Sequence, residues 1–307
     1  MMQVWSATEP APGRQENEDL VFHHGDLVGV LDGATVPDGF DTGCVHGPAW
    51  YVRQLAARLA VAAAARPAAT LAGHLAAAIL GVRSEHADRC DLDHPGTPSS
   101  TVCLLRRTAD QVDFLVLCDS PLVIDLGDRV EVVTDGRLAV AAEDLRRTAV
   151  AVPGADPATA LHRAMQLQRQ NMNRTHGYWV AAANPDAAYH ALTGTLPLFG
   201  EPRLRRAALL TDGAAGAVDR FALVSWPALL DLITEHGPGE LIRRVRTAEH
   251  ADRDEGVGVR FKRHDDASAV LCVFGDERIQ AGRRGGPDGR GQVDPGWDRP
   301  PADGGTV

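Results

Sequence analysis

Acidic residues that directly follow apolar runs are the feature of this sequence best suited to chemistry. Two apolar runs, 28–31 and 207–210, lead into Asp-Gly pairs at 32–33 and 212–213, the second through one threonine. Such a run predicts a buried strand with a carboxylate at its end, where glycine lets the backbone turn. An ordinary Asp-Gly turn is the simpler interpretation of either pair alone. Because burying an unpartnered carboxylate is costly, a chemical site of this kind requires a cation.

Further acids lie beside other predicted strands. Asp119 closely follows one apolar run, Asp265 precedes another, and Glu18 and Asp19 precede a third. Carboxylates that converge repel each other unless a divalent cation neutralises them. Hard oxygen ligands without an accompanying set of histidine and cysteine ligands favour Mg²⁺ or Mn²⁺ over zinc.

The composition predicts a globular protein that collects cations rather than nucleic acid. The 307 residues are 44% hydrophobic and 23% charged, with a formal net charge of −10, whereas a nucleic-acid-binding surface is basic. We find no secretion signal, and the longest apolar tract, 55–65, is too short to span a bilayer. Of the five cysteines, none closely paired, three lie in strand-like runs. This placement indicates small buried thiols in a reducing compartment. We therefore expect a cytoplasmic protein without a membrane or nucleic-acid partner.

A zinc site is a weaker alternative for one loop. His86, Cys90 and His94 are spaced four residues apart, and all three residue types bind zinc. A fourth ligand at a recognised spacing is missing from this stretch. The favoured interpretation of 90–99 is therefore an ordinary polar loop.

Apolar periodicity predicts the elements that position these residues. The predicted helices cover 50–65, 68–86, 157–173, 226–235 and 238–252. The predicted strands cover 28–31, 101–105, 112–117, 122–124, 130–133, 178–181, 207–210 and 269–274. The short links between 101 and 133 predict an antiparallel meander. Residues 276–307, rich in Gly, Pro, Arg and Asp, predict a disordered tail because they have almost nothing to bury.

The motifs, taken in order, resemble those of the type 2C (PPM-type) metal-dependent serine/threonine protein phosphatases. They are Arg14-x-x-Asn17-Glu18-Asp19, Val30-Leu-Asp32-Gly33, Ser100-Thr101, Asp119-Ser120, Leu209-Leu-Thr-Asp212-Gly213 and Asp265-Asp266-Ala267-Ser268. Each motif is weak alone, but six in the same order make a strong signal. The resemblance implies an α+β fold, a four-layer α-β-β-α sandwich with two central antiparallel sheets, as one catalytic domain over 1–275.

The resemblance also implies a role for each acid. Asp32 would bridge two metal ions, with the Gly33 carbonyl binding one of them, and Asp212 and Asp265 would hold the other. The remaining implied roles are metal ligation, direct or through water, by Glu18 and Asp19, substrate-phosphate binding by Arg14, and a weak third metal site at Asp119, with Asp219 as a looser candidate for that site.

The implied activity is hydrolysis of phosphoserine and phosphothreonine in proteins by a hydroxide that bridges two Mn²⁺ or Mg²⁺ ions. The partner would be a phosphorylated protein, the product of a serine/threonine kinase. Two alternatives stay open: a phosphatase-like binding or regulatory module without catalysis, and a phosphatase that acts on a small phosphoester.

Several positions depart from the family pattern. Cys118 replaces the glycine of Gly-Asp-Ser, and Pro121 replaces a frequent basic residue. Ser100 stands in for the glycine before Ser-Thr if the motif is aligned without a gap at Ser99. Asp266 replaces the asparagine after the last ligand, and Ala34 stands where eukaryotic members often carry a histidine. No family sequence is recognisable over 150–206, which leaves the substrate less defined than the metal site.

Overall fold

Two five-stranded antiparallel sheets form the centre of the protein. The computed structural model describes residues 1–37, 39–149, 157–252 and 264–275. The strands are β1 (Met2–Glu9), β2 (Asp19–His24), β3 (Leu27–Gly33), β4 (Ser100–Arg107), β5 (Gln111–Leu117), β6 (Leu122–Asp125), β7 (Val130–Val133), β8 (Leu192–Pro197), β9 (Arg206–Leu210) and β10 (Ala267–Phe274). Sheet I has the order β1-β10-β9-β6-β7, and sheet II has the order β2-β3-β4-β5-β8.

The described residues also form seven α-helices and one 3₁₀ helix. They are α1 (Pro48–Ala65), α2 (Leu71–His86), α3 (Arg137–Ala149), α4 (Pro157–Gln170), α5 (Asp212–Asp219), α6 (Trp226–His236) and α7 (Pro238–Ala251), with a 3₁₀ helix at Pro185–His190. Helices α1 and α2 share one buried apolar cluster with sheet II. Helices α5, α6 and α7 share another with sheet I. The predicted four-layer α-β-β-α sandwich is confirmed.

The alternation of side chains along β3 explains this layering. Val28 and Val30 belong to the buried cluster between the sheets, together with Leu209 and Val270 of sheet I. Leu31 points the opposite way and belongs to the cluster with α1 and α2. Because successive strand residues face opposite sides, a strand that is apolar at every position is buried on both faces.

The predicted meander over 101–133 is wrong at its centre. Strand β4 pairs with β5 and β6 pairs with β7, but the two hairpins belong to different sheets. The short link after β5 crosses from sheet II to sheet I, where the Pro121 carbonyl accepts a hydrogen bond from Leu210 N–H at 3.1 Å. A short link limits the distance between strand ends but does not require that the two strands pair.

The region 135–206 contains elements that the sequence pattern did not predict, namely α3, the 3₁₀ helix and β8. The strand predicted at 178–181 is wrong, because this segment makes only single bridges, Met172 to Tyr178 and Ser100 to Ala181. The expected tail at 276–307 lies outside the described residues. Among the described helices, none has the length and apolar character needed to cross a membrane.

Candidate active site

The end of β3 places two predicted site acids side by side. Residues from Leu27 to Leu31 are buried, and Asp32 is half-buried where the strand ends. In the ladder Asp32 lies opposite Asp19 of β2 on one side and Thr101 of β4 on the other. Side chains of directly opposed residues have Cβ atoms roughly 4.5–5.5 Å apart. Asp19 and Asp32 therefore form one local pair of carboxylates.

Gly33 allows a third acid to approach this pair. A Cβ at this position would lie 2.6 Å from the Glu18 carbonyl oxygen and 2.9 Å from Pro48 Cβ, so only glycine fits without a shift. The Gly33 N–H donates to the same Glu18 carbonyl at 3.0 Å. Glu18 is thus held against the end of β3.

The Glu18 side chain joins the phosphate-binding candidate. Arg14 Nη1 lies 3.4 Å from Glu18 Oε1, and the Thr35 hydroxyl donates to Glu18 Oε2. The Glu18 side chain is 13% exposed and the Arg14 side chain 44% exposed. The guanidinium therefore contacts the acid on one side and solvent on the other.

A hydrogen bond connects the β3 end to the end of β9. Asp19 is buried, and its Oδ2 accepts a hydrogen bond from the Thr211 hydroxyl at 2.8 Å. Thr211 immediately precedes Asp212, the first residue of α5. Burial raises the pKa of Asp19, and the nearby carboxylates of Asp212 and Asp266 raise it further. The acids of sheet II and sheet I therefore share one electrostatic environment.

The segment before β10 closes the site from a third direction. A Cβ at Gly213 would overlap the Asp266 carbonyl oxygen, so α5 begins in close contact with this segment. The Asp266 carboxylate accepts hydrogen bonds from the N–H groups of Ala11 and Glu18, both at 2.6 Å. Asp266, which replaces the family asparagine, thus uses both oxygens to connect the chain beside Asp265 to the segment that precedes β2.

The acids at 119, 212 and 265 line one cavity of about 420 Å³, which we call the carboxylate cavity. Its acidic lining residues are Asp119, Asp135, Asp212, Asp219, Glu249 and Asp265. Arg220 also lines this cavity, and arginines of the chain contact two of its acids, Asp135 and Glu249. Arg137 Nε donates to Asp135 at 2.8 Å, and Arg246 Nη1 donates to Glu249 at 2.8 Å.

The remaining acids of the cavity include two with raised pKa values. Desolvation raises the pKa of Asp119, and the carboxylates of Asp135 and Asp265 raise it further. Desolvation also raises the pKa of Asp219. A group of desolvated carboxylates supplied by several elements has the donor chemistry of an Mg²⁺ or Mn²⁺ site, because these ions take oxygen ligands. The residues present therefore fit divalent metal.

Solved structures of bacterial serine/threonine phosphatases resemble this chain over most of its length. The PPM Ser-Thr phosphatase MsPP from Mycobacterium smegmatis is 19% identical, with a TM-score of 0.52 over 89% of this chain and 98% of its own. The PstP catalytic domain, solved with two manganese ions, is 15% identical, with a TM-score of 0.53 over 90% and 99%. Stp1 from Staphylococcus aureus is 12% identical, with a TM-score of 0.52 over 90% and 96%. No family model and no curated protein matches the sequence.

The chain has the PPM phosphatase fold. The resemblance inferred from the motifs is confirmed for the fold, which spans both sheets and their outer helices. At this low identity, the PPM fold itself does not assign the chemistry of individual residues.

One departure from the family motifs has a structural consequence. Cys118, in the position of the family glycine, has a φ of 70°, which is a left-handed conformation that L-residues rarely adopt. Its side chain is buried in a small cluster with Tyr178 and Val180. The strained backbone is thus held by packing, and Asp119 follows directly from it.

The sequence analysis missed Arg169, a buried residue of α4. Its guanidinium donates to the carbonyls of Gly96 and Thr97, both at 3.3 Å, and of Ala34 at 3.1 Å. Ala34 lies two residues beyond Asp32, so Arg169 connects α4 to the loop that leaves the site. The sequence gave no signal for this contact, because an arginine on an amphipathic helix is expected to face solvent.

Proposed function

We propose that this protein is a metal-dependent phosphatase that hydrolyses phosphoserine and phosphothreonine in proteins. The observation that supports it most directly is the arrangement of the predicted acids around adjacent ends of two sheets in a PPM fold. Asp32, Asp19 and Glu18 approach from sheet II, while Asp119, Asp212 and Asp265 line the carboxylate cavity.

The ligand assignments are those that the family resemblance implies. Asp32 would bridge two ions, with the Gly33 carbonyl binding one of them, and Asp212 and Asp265 would hold the other. Glu18 and Asp19 would ligate directly or through water. The weak third site is assigned to Asp119, with Asp219 also lining the cavity. Two bound Mn²⁺ or Mg²⁺ ions supply an activated water and neutralise the charge on the phosphoryl oxygens.

Arg14 binds and orients the substrate phosphate. Its guanidinium offers a planar fork of donors that matches phosphate oxygens. The solvent-exposed side of this group is available while Glu18 holds the other side at 3.4 Å. A phosphate held in this way lies next to the acids at the end of β3, which is the position that hydrolysis requires.

Replacement of Asp32 tests the proposal. Asp32→Asn removes the bridging carboxylate, and we expect hydrolysis of p-nitrophenyl phosphate and a phosphothreonine peptide to fall on the order of 10³-fold, because several kcal/mol of charge stabilisation depends on the ions it holds. Asp26→Asn is the matched control, since Asp26 lies just before the other end of β3 and its side chain is 61% exposed.

The comparison is made in Mn²⁺, with thermal melting used to verify that both variants fold. Equal activity of Asp32→Asn and the wild type would contradict the proposal. Hydrolysis of phosphorylated metabolites but not of the peptide would show that the substrate is a small phosphoester instead.

A binding module without catalysis is the second candidate. It is favoured by the contact of Arg14 with Glu18 and by the strained Cys118 next to Asp119. Calorimetry with Mn²⁺ separates the two, because the catalytic proposal requires ion binding that Asp32→Asn weakens. The predicted kinase partner and cytoplasmic location stay predictions.

A further inference from the structure

Four side chains of zinc-binding type meet where α1 begins and α2 ends. Cys44 and His46 lie in the loop before α1, whereas His86 ends α2 and Cys90 lies in the loop after it. Their donor atoms all lie within 4.8 Å of one another. We call these four residues the thiol–imidazole cluster.

Three sulfur–nitrogen distances within the cluster match tetrahedral coordination. Cys44 Sγ lies 3.6 Å from His46 Nδ1 and 3.5 Å from His86 Nδ1, and Cys90 Sγ lies 3.6 Å from His46 Nδ1. A tetrahedral ion with Zn–S of about 2.3 Å and Zn–N of about 2.05 Å separates sulfur and nitrogen ligands by about 3.5 Å. The imidazole and thiol donors are therefore already at ligand spacing.

The two sulfurs lie closer together than in a zinc site. Their separation is 2.7 Å, which exceeds the roughly 2.05 Å of a disulfide bond and is below the about 3.8 Å expected across a tetrahedral zinc ion. Both cysteines are free thiols in the structure. A disulfide would need no imidazole, yet two Nδ1 atoms approach these sulfurs, and this favours a metal.

The surrounding residues hold both imidazoles in place. The Trp50 ring stacks on His46 with centroids 3.9 Å apart and lies 5.1 Å from the His86 ring. His86 is 2% exposed. All four donors come from the protein, so no position is left for a water or substrate, as is typical of structural zinc sites.

We propose that Cys44, His46, His86 and Cys90 bind one zinc ion as a closed structural site. The ion connects chain segments 46 residues apart. These segments are the loop that follows Asp32 and the loop that leads to Thr101, its neighbour in the β ladder. The same two loops also meet through Asp91 N–H, which donates to the Gly43 carbonyl at 2.8 Å.

The zinc alternative considered from sequence shares His86 and Cys90 with the proposed site, whereas its third residue, His94, lies outside the cluster. His94 Nδ1 accepts a hydrogen bond from Gly96 N–H at 3.0 Å, and its Nε2 lies 3.7 Å from Asp41. Cys44 and His46 take the remaining positions. Neither residue could be recognised from the sequence, because 39 residues lie between His46 and His86. This spacing is unfamiliar for a zinc motif.

Metal analysis of the purified full chain tests the proposal without measuring activity, so its outcome is independent of the phosphatase proposal. We expect one zinc ion per chain by plasma mass spectrometry. Cys90→Ser should weaken zinc binding on the order of 100-fold or more, measured by competition with a chromogenic chelator. His94→Gln is the matched control and should retain its zinc.

Cobalt substitution keeps the test decisive if Cys90→Ser fails to fold. Wild-type protein loaded with Co²⁺ should show thiolate-to-cobalt charge transfer and the absorption of a tetrahedral ion. The absence of this spectrum, an intact-protein mass lower by two hydrogens from a Cys44–Cys90 disulfide, or full zinc retention in Cys90→Ser would overturn the proposal.

Discussion

The carboxylate cavity and the thiol–imidazole cluster both concentrate side chains of metal-binding type, but they differ in donor atoms and in geometry. The cavity uses oxygen donors from strand ends and from helices α5 and α7, and it encloses about 420 Å³. The cluster uses two sulfurs and two nitrogens from the loops that flank one helical hairpin. The cavity is an open space, whereas the donor atoms of the cluster all lie within 4.8 Å of one another.

This difference in donor type indicates which ion each region would bind and what that ion would do. Hard oxygen donors around an open space suit Mg²⁺ or Mn²⁺, which retain waters and exchange readily. Thiolate and imidazole donors at tetrahedral spacing suit a zinc ion that remains bound and contributes to folding. We infer that the first region performs chemistry and that the second holds the loops from which this chemistry is built.

Selective metal removal has the largest expected effect on this comparison. Brief treatment with EDTA followed by desalting should lower hydrolysis of p-nitrophenyl phosphate on the order of 10³-fold, because the cavity loses ions that supply several kcal/mol. Added Mn²⁺ should restore it, while the zinc content stays at one ion per chain. If zinc and activity were lost together and only zinc restored the activity, the proposed separation of the two metal sites would be wrong.

Arg169 offers a second test, since it contacts both loops that the cluster connects. Arg169→Met leaves the carbonyls of Ala34, Gly96 and Thr97 without this buried donor, and we expect a loss of about 2–3 kcal/mol in the free energy of unfolding. Urea denaturation measures it. Arg163→Met on the exposed side of α4 is the control and should change stability by less than about 0.5 kcal/mol. Equal effects would show that the buried contact is unimportant.

Glu240 gives the smallest expected effect. Its carboxylate is neutralised by arginines of the chain rather than by a metal ion. Hydrogen bonds from Arg243 and Arg244 lower the pKa of Glu240 to about 2. A lowered folded-state pKa means that its stabilisation is present above the unfolded pKa and is lost as the pH falls towards 2. The site is near the surface, so Glu240→Gln should cost only about 0.5 kcal/mol at pH 7.

The pH dependence of that cost identifies its origin. Urea titrations at pH 7 and pH 3 should show a smaller difference between Glu240→Gln and the wild type at the lower pH. Glu235→Gln, on α6, is the control, because its side chain is 76% exposed. A Glu240→Gln effect that stays constant with pH would indicate packing rather than charge.

The strongly apolar strands could be predicted from the sequence, whereas the mostly exposed strand β8 could not. The runs that became β3, β9 and β10 are buried along nearly their whole length. In contrast, β8 has only one buried residue, Leu196, so its sequence has little apolar pattern. The fold prediction succeeded because motif order supplied the topology that periodicity lacks.

The candidate site shows the same division. Asp32 and Asp212 were recognisable because each follows a core strand. Cys44 and His46 were not, because their partners lie beyond a pair of helices and short-range spacing carries no information about that contact.

The sequence by itself determined which residues could be buried in strands, which acids would emerge at their ends and which chemistry these acids allow. Only the tertiary structure decided that the two hairpins after α2 belong to different sheets and that Asp266 connects backbone segments. It also decided that two cysteines and two histidines meet beside Trp50. The physical reason is that side-chain periodicity is set locally by backbone geometry, whereas contacts between distant segments depend on how whole layers pack.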